Sequence, residues 1–288
     1  MYLNFYKLRE FPFSISCDER FFYESSVHTE ALANMMYAVQ QRKGMVLVTG
    51  EVGAGKTFVA NVLAGRLGTG CLTVPIQNPP QSGKQLLRAL AIGAGMNVRS
   101  GADKMLLLEG LEEHLRRMQA RGRLVALLID EAQDLTPTAL EEVRLLWNWE
   151  QNAQRLVQIV LVGLPDLRQR LMEPRWEPLR QRVVLSYHLS HLTAEDTAAY
   201  VMHRIRVAAE DGACEGLFSP EALAAVHEST DGIPRLINVL CDNALLIGYS
   251  RESQRIEKDI VLGVLRDMTC WGLRTPIAPS ATASAGSG

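Results

Sequence analysis

The sequence predicts an α/β protein with a parallel sheet core, followed by a small all-helical domain. Three observations predict this fold. Short apolar runs typical of buried strands alternate with helical patterns between residues 45 and 189. A glycine-rich loop at residues 50–57 joins the first strand to the next helix. After residue 192 the strand patterns end and only helical ones remain. Strands that alternate with helices form a parallel, doubly wound sheet.

Each element of the predicted core follows from its own pattern. Helices are recognised by apolar residues at every third or fourth position, and strands by short apolar runs. In the run 124–130, six apolar residues precede an acid, as in a strand buried on both faces. Thr136 and Pro137 form a cap and first helical position. The predicted strands are 45–49, 71–75, 124–130, 156–163 and 183–189, and the main helices are 26–41, 56–67, 84–96, 105–119 and 137–148.

The remaining segments complete the predicted domain organisation. Residues 193–196 read Thr-Ala-Glu-Asp, which resembles a capping box and begins a helix to about residue 209. Further helices are expected from residue 220, at 237–249 and at 256–268. The last stretch is Ala, Ser, Gly and Pro and is expected to be disordered. The predicted division is an aromatic-rich N-terminal strap (1–25), the core (26–191), a helical domain (192–270) and a tail (271–288).

Composition restricts the possible classes of protein. The chain has 288 residues, 47% of them hydrophobic and 22% charged, with a formal net charge of -2. It therefore has no overall positive field to attract nucleic acid or acidic lipid. Five scattered cysteines lack metal-site spacing and indicate buried thiols in a reducing compartment. No signal peptide and no apolar run of membrane-spanning length is recognised. We expect a cytoplasmic protein, free or peripheral at the inner membrane.

The glycine-rich loop matches G-x-x-x-x-G-K-[ST] at every defined position, between a strand and a helix. In such a loop the backbone N–H groups face phosphates, the lysine reaches the β- and γ-phosphates and the threonine hydroxyl binds Mg²⁺. A simple glycine turn would not require Lys-Thr at this offset. The fold predicted is thus that of a P-loop NTPase, with ATP and Mg²⁺ as cofactors. The predicted nucleotide-binding residues here are Gly50, Glu51, Val52, Gly53, Ala54, Gly55, Lys56, Thr57 and Phe58.

Asp130 and Glu131 follow the apolar strand at 124–129. In this class the first carboxylate organises Mg²⁺ and the next one polarises the attacking water. Thr57 and Asp130 are therefore the predicted metal ligands, and Glu131 and Lys56 the predicted catalytic residues. The alternative is a strand that ends in two solvated acids.

From about Phe5 to Tyr249 the sequence resembles the ExeA/GspA group of AAA+ ATPases, which is related to MshM and to exosortase-associated ATPases. The resemblance is carried by several segments in a fixed order. They are FYKLREFPF, FFYESSVHTEAL, GEVGAGKT, LLIDEAQDL, QIVLVG, LRQRV, SYHL and GIPRLIN. It implies a core sheet, a helical lid and nucleotide between them.

The same resemblance implies roles for two arginines. Arg235 matches the lid arginine (sensor 2) that contacts the γ-phosphate, so the resemblance implies both a catalytic and a nucleotide-binding role for it. Arg182 lies where the family places an arginine finger that reaches a neighbouring subunit, so a homo-oligomeric ring or filament is expected. Alternatively, Arg235 is a helix-cap residue and Arg182 forms a surface ion pair, with Arg180 as the competing finger.

Two positions depart from the family pattern. Leu164 stands where related proteins carry a polar residue, the natural sensor 1, and a leucine side chain cannot form a hydrogen bond. Either Asn148 or another side chain takes this role, or hydrolysis is slow. Relatives continue into a membrane helix and a peptidoglycan-binding part, whereas this sequence ends at Gly288. Direct wall binding is therefore not expected.

Three functions remain open from the sequence. The first is an ATP-driven motor or switch, with a protein partner in a cell-envelope secretion, pilus or polysaccharide-export machine. The second is a DNA-associated regulator of transposition, for which a run of arginines at residues 116, 117, 121 and 123 could bind phosphates. Such a run is more often a solvated helix end, so nucleic acid is the less favoured partner. The third is a nucleotide-dependent scaffold with slow turnover.

Overall fold

The computed structural model describes residues 2–14, 18–210 and 216–270. Its strands are β1 (Met45–Gly50), β2 (Cys71–Ile76), β3 (Leu124–Ile129), β4 (Glu150–Gln151), β5 (Gln154–Arg155), β6 (Gln158–Gly163) and β7 (Val183–Leu189). Its α-helices are α1 (Tyr2–Phe5), α2 (Ser26–Gln40), α3 (Lys56–Arg66), α4 (Gly83–Gly93), α5 (Lys104–Ala120), α6 (Pro137–Trp147), α7 (Pro165–Leu171), α8 (Glu177–Arg180), α9 (Ala194–Ala208), α10 (Pro220–Thr230), α11 (Pro234–Ser250) and α12 (Lys258–Cys270). Short 3-10 turns lie at Glu19–Phe21, Ala132–Asp134 and Pro174–Trp176.

The described residues form two compact units. One contains Glu24–Ser190, and the other combines Met1–Tyr23 with His191–Gly288, as far as these are described. The division inferred from the sequence, with boundaries after residues 25 and 191, stays a prediction. The predicted tail, 271–288, lies outside the described residues.

The first unit is built on a parallel sheet with the strand order β2-β3-β6-β1-β7. Strand β6 pairs in continuous register with both neighbours, with Met45 of β1 and Leu127 of β3 opposite Ile159. The register between β1 and β7 shifts once, between Met45 and Val46. The central strands β1 and β6 are buried along their whole length, in agreement with their mostly apolar sequences. The predicted parallel α/β fold is therefore confirmed. The β4–β5 hairpin was not predicted, because two-residue strands leave no periodic signal.

The second unit has its own apolar core, in which helices α9 to α12 pack with the N-terminal segment. Tyr2, Tyr6 and Phe13 are buried in this core. The buried guanidinium of Arg204 donates hydrogen bonds to the carbonyl oxygens of Pro12 (2.6 Å) and Ser14 (2.8 Å). The aromatic-rich segment expected to be a strap is therefore bound to the helical unit, and its residues 2–5 form one helical turn.

Candidate functional site

The phosphate-loop sequence lies between β1 and α3. Gly53 and Gly55 have φ angles of 83° and 92°, a region that favours glycine. Lys56 is buried, and its ammonium group donates a hydrogen bond to the carbonyl oxygen of Glu51 (2.9 Å). The side chain of Val52 is exposed, and Phe58 is half-buried in the first turn of α3. The loop therefore turns back over its own lysine.

Lys56 is a buried cation close to several acids. Burial lowers the pKa of its ammonium group below the ordinary value, and the carboxylates of Glu131, Asp130 and Glu51 oppose that change. An anion that replaced the Glu51 carbonyl as the partner of the ammonium group would offset the cost of burying this charge. This environment suits the binding of phosphate.

Asp130 and Thr57 are in direct contact, although 73 positions separate them. The Thr57 hydroxyl donates to Oδ2 of Asp130 (2.5 Å), and the backbone N–H of Glu131 donates to Oδ1 (2.9 Å). Asp130 is fixed in turn by its own N–H, which donates to the carbonyl oxygen of Ile76 on β2 (2.9 Å). One carboxylate and one hydroxyl at this spacing are oxygen donors of the kind that Mg²⁺ prefers, with phosphate and water completing its coordination. The two predicted metal ligands thus fit the ion.

Glu131 lies directly after Asp130 in a left-handed backbone conformation (φ 47°, ψ 38°). Its carboxylate accepts a hydrogen bond from the side-chain amide of Gln133 (2.8 Å). The carbonyl oxygen of the same amide accepts from the backbone N–H of Leu164 (3.0 Å). The predicted base is therefore linked through Gln133 to the position at which the polar sensor is absent.

His28 is a residue of the site region that sequence reasoning missed. It is buried on α2, and its Nε2 atom lies 3.2 Å from the carbonyl oxygen of Ala54 in the phosphate loop. A Cβ atom on Gly55 would lie 3.1 Å from Nε2. The histidine occurs in the segment FFYESSVHTEAL, which carried the resemblance, but its spacing alone suggested no role. The structure makes it a support of the loop.

The two candidate finger arginines are held by contacts within the first unit. The guanidinium of Arg182 lies 5.0 Å from the ring centroid of Trp147, and it donates to the side chain of Asn148 (3.3 Å) and to the carbonyl oxygen of Pro178. Arg180 donates to the carbonyl oxygen of Met172 (3.2 Å). The guanidinium of Arg182 therefore lies beside an aromatic ring.

Arg235 belongs to the helical unit, where it is exposed in the first turn of α11. The turn before this helix is fixed by Gly232, whose carbonyl oxygen accepts from the N–H of Leu192 (3.0 Å). A Cβ atom on Gly232 would lie 2.0 Å from the carbonyl oxygen of Leu192. Gly232 thus sets the position at which α11 begins and therefore the position of Arg235 in its first turn.

Two of the arginines considered for DNA binding form ion pairs within α5. Arg116 pairs with Glu112 (2.6 Å) and Arg117 with Glu113 (3.5 Å). These i,i+4 pairs are typical of a solvated helix face.

Among the described residues, no helix has the length and apolar character to cross a membrane.

The fold and the site together are those of a P-loop NTPase with an AAA domain. The family model described as "AAA domain" matches residues 39–171. The chain is a relative of general secretion pathway protein A of Aeromonas hydrophila, with 40% identity over 286 residues that cover 96% of this chain. The predicted ExeA/GspA resemblance is confirmed. The chain spans about half, 52%, of the length of that relative.

Solved structures with the same fold are more distant in sequence. The ORC2 protein of Aeropyrum pernix, solved as ADPNP-ADP complexes, aligns with a TM-score of 0.65 and 15% identity, over 86% of this chain and 71% of that one. Cdc6p of Pyrobaculum aerophilum aligns with a TM-score of 0.63 and 20% identity, over 83% and 68%. RuvB of Thermotoga maritima, a Holliday junction branch migration motor, aligns with a TM-score of 0.54 and 19% identity, over 90% and 73%. At these identities the likeness establishes the fold.

Proposed function

We propose that this chain binds ATP with Mg²⁺ and hydrolyses it, and that the cycle drives a switch or motor in a cell-envelope export machine. The observation that carries the proposal is the contact between Thr57 and Asp130, with Glu131 directly beside it. This contact joins the phosphate loop to the acidic strand end, where the chemistry of the class takes place.

Each predicted site residue has a role in this proposal. The loop from Gly50 to Thr57 binds the phosphates, and Lys56 supplies a positive charge to the β- and γ-phosphates. Bound Mg²⁺ would neutralise the charge that develops on the phosphate oxygens, held by Thr57 and Asp130. Glu131 accepts the proton of the attacking water.

Two further roles are carried over from the resemblance. Arg235 is proposed to contact the γ-phosphate. Arg182 is proposed to act on the nucleotide of a neighbouring copy in an ATP-dependent ring or filament. The guanidinium now contacts the Trp147 ring and the oxygens of Asn148 and Pro178. In an assembly it could bind phosphate oxygens in their place.

The assignment to an envelope machine rests on the relative, a protein named for the general secretion pathway. We propose secretion, pilus assembly or polysaccharide export as the process served. Since the cycle requires ATP, we propose that the protein acts in the cytoplasm or at the inner face of the membrane.

The test is the variant Glu131→Gln, with Glu109→Gln at an exposed position of α5 as the matched control. An amide cannot accept the water's proton, so ATP binding should persist while phosphate release falls by about 10²–10⁴-fold. Release at the wild-type rate would remove Glu131 as the base. In the organism that encodes the chain, the Glu131→Gln protein should also reduce export. Unchanged export in all three processes would contradict the proposed role.

A further inference from the structure

We propose that Gln133 is a positioning residue for hydrolysis and that its side-chain amide takes the place of the polar group absent from position 164. The inference rests on the proposed function, because it assigns Gln133 a role through Glu131. It is carried by a hydrogen-bonded chain from the Glu131 carboxylate through the Gln133 amide to the backbone of Leu164.

The two ends of this chain lie at adjacent strand ends. Glu131 follows β3 and Leu164 follows β6, and these strands are parallel neighbours in the sheet. In open parallel sheets, ligands bind outside the carboxyl ends of the strands. A side chain that spans these two strand ends therefore lies where the reacting groups are expected.

Only one orientation of the Gln133 amide satisfies both neighbours. The Leu164 N–H can only donate, so it faces the amide oxygen at 3.0 Å. The Glu131 carboxylate accepts, so it faces the amide nitrogen at 2.8 Å. The second N–H of the amide points towards the Asp134 carboxylate at 3.3 Å. With every polar atom of the amide engaged, the side chain has one defined position.

The surrounding backbone is shaped to hold Gln133. Arg170, on α7, donates to the carbonyl oxygens of Gln133 (3.0 Å) and Leu135 (2.6 Å). Gly163 leaves the room for the amide, because a Cβ atom there would lie 2.7 Å from its oxygen. Hydrogen bonds thus join the loop after β3 to residues that follow β6, both at the side chain of Gln133 and at its backbone.

This arrangement has a direct consequence for catalysis. The carboxylate of Glu131 sits on a left-handed residue at a turn, so its direction depends on what holds it. A hydrogen bond from a fixed amide restricts the carboxylate to one orientation before the water attacks. Because a displacement of about 1 Å in a reacting group can lower a rate about 10²-fold, the loss of this bond should lower the rate of hydrolysis.

The experiment compares three substitutions of Gln133 in the full chain. Gln133→Met keeps the volume and removes both hydrogen bonds. Gln133→Lys keeps a donor for Glu131 and removes the acceptor for Leu164. Gln133→Glu keeps the acceptor and places a like charge against Glu131. Single-turnover hydrolysis, ATP affinity and melting temperature are measured for each, with Gln169→Met, at an exposed position of α7, as the control.

We expect Gln133→Met to lower the single-turnover rate about 10²-fold, with ATP affinity nearly unchanged. Gln133→Lys should hydrolyse ATP faster than Gln133→Met. Gln133→Glu should be no faster than Gln133→Met. Adding Leu164→Gln should restore part of the rate of Gln133→Met but change the wild-type rate little, since the amide role is already filled. If Gln133 only braces the Leu164 loop, Gln133→Glu is the best of the three, and the proposal is overturned. A raised or unchanged rate in Gln133→Met overturns it as well.

Failure of this inference is distinguishable from failure of the proposed function. If Glu131→Gln loses turnover and Gln133→Met does not, only the role of Gln133 is wrong. If Glu131→Gln hydrolyses ATP at the wild-type rate, the proposed base is wrong, and the positioning role is overturned with it.

Discussion

The Nε2 atom of His28 lies 3.2 Å from the carbonyl oxygen of Ala54, and its Nδ1 atom lies 2.7 Å from the hydroxyl of Ser25. Because a carbonyl oxygen only accepts, Nε2 carries the hydrogen. In the neutral imidazole, Nδ1 then accepts from Ser25. The phosphate loop is therefore supported from α2 by one buried side chain with both nitrogens engaged.

We expect His28→Leu to weaken ATP binding by about fivefold, since a buried hydrogen bond contributes about 1 kcal/mol and the loop loses the support of its Ala54 carbonyl. Titration with a fluorescent ATP analogue measures the effect. Thr29→Ala, at the exposed next position of α2, is the matched control. Equal affinity of His28→Leu and wild type would show that the loop holds its shape without the histidine.

A second prediction concerns the buried charge of Lys56. Burial lowers its pKa, so the folded protein binds this proton less tightly than the unfolded chain does. At neutral pH the ammonium therefore destabilises the nucleotide-free fold, and this penalty fades as the pH rises towards the ordinary lysine pKa of about 10.4. We expect Lys56→Met to raise the melting temperature without nucleotide, more at pH 7 than at pH 10.

The same Lys56→Met protein should no longer be stabilised by ATP, because only a ligand that binds the native state raises the melting temperature. Lys84→Met, at an exposed position of α4, is the control for removing a lysine. ATP-dependent stabilisation of Lys56→Met equal to that of wild type would contradict the assigned phosphate contact.

The third prediction concerns the arginine finger. Arg182→Ala and Lys56→Met proteins should each be inactive, and their mixture should regain activity, because some interfaces then combine an intact finger with an intact phosphate loop. Fingers contribute about 10³–10⁵ in comparable reactions. Phosphate release by co-assembled mixtures is the measurement, and Arg180→Ala tests the competing residue. If Arg180→Ala is inactive alone and regains activity on mixing with Lys56→Met, while Arg182→Ala stays active alone, the finger is Arg180.

The fourth prediction concerns the turn before α11. Gly232 and Gly122 have φ angles of 69° and 76°, but only Gly232 has backbone atoms where a Cβ would lie. We expect Gly122→Ala to lower the free energy of unfolding by about 1–2 kcal/mol, the usual cost of a left-handed residue with a side chain. Gly232→Ala should cost clearly more, as measured by denaturant unfolding. Equal losses of unfolding free energy in the two variants would show that the turn at Gly232 moves easily enough to make room for a Cβ atom.

The fold class and the positions of the phosphate-loop and acidic motifs could be predicted from local patterns in the sequence. This was possible because a phosphate loop needs given residue types at short, fixed spacings, and because buried strands and amphipathic helices show local periodicity. Each of these signals lies within about one element of secondary structure, so it can be recognised without knowing which residues contact that element.

The tertiary structure decided which distant residues support those motifs. His28 lies 26 positions from Ala54, and Gln133 lies 31 positions from Leu164. The N-terminal segment joins helices almost 200 positions away, as in the bond from Arg204 to Pro12, which are 192 positions apart. Such pairs have no fixed spacing in the sequence, since their contact depends on strand order and on the route of the chain between them. A buried histidine, an amide after two acids and an aromatic strap acquire their roles only when the sheet and the helical unit bring their partners within hydrogen-bond distance.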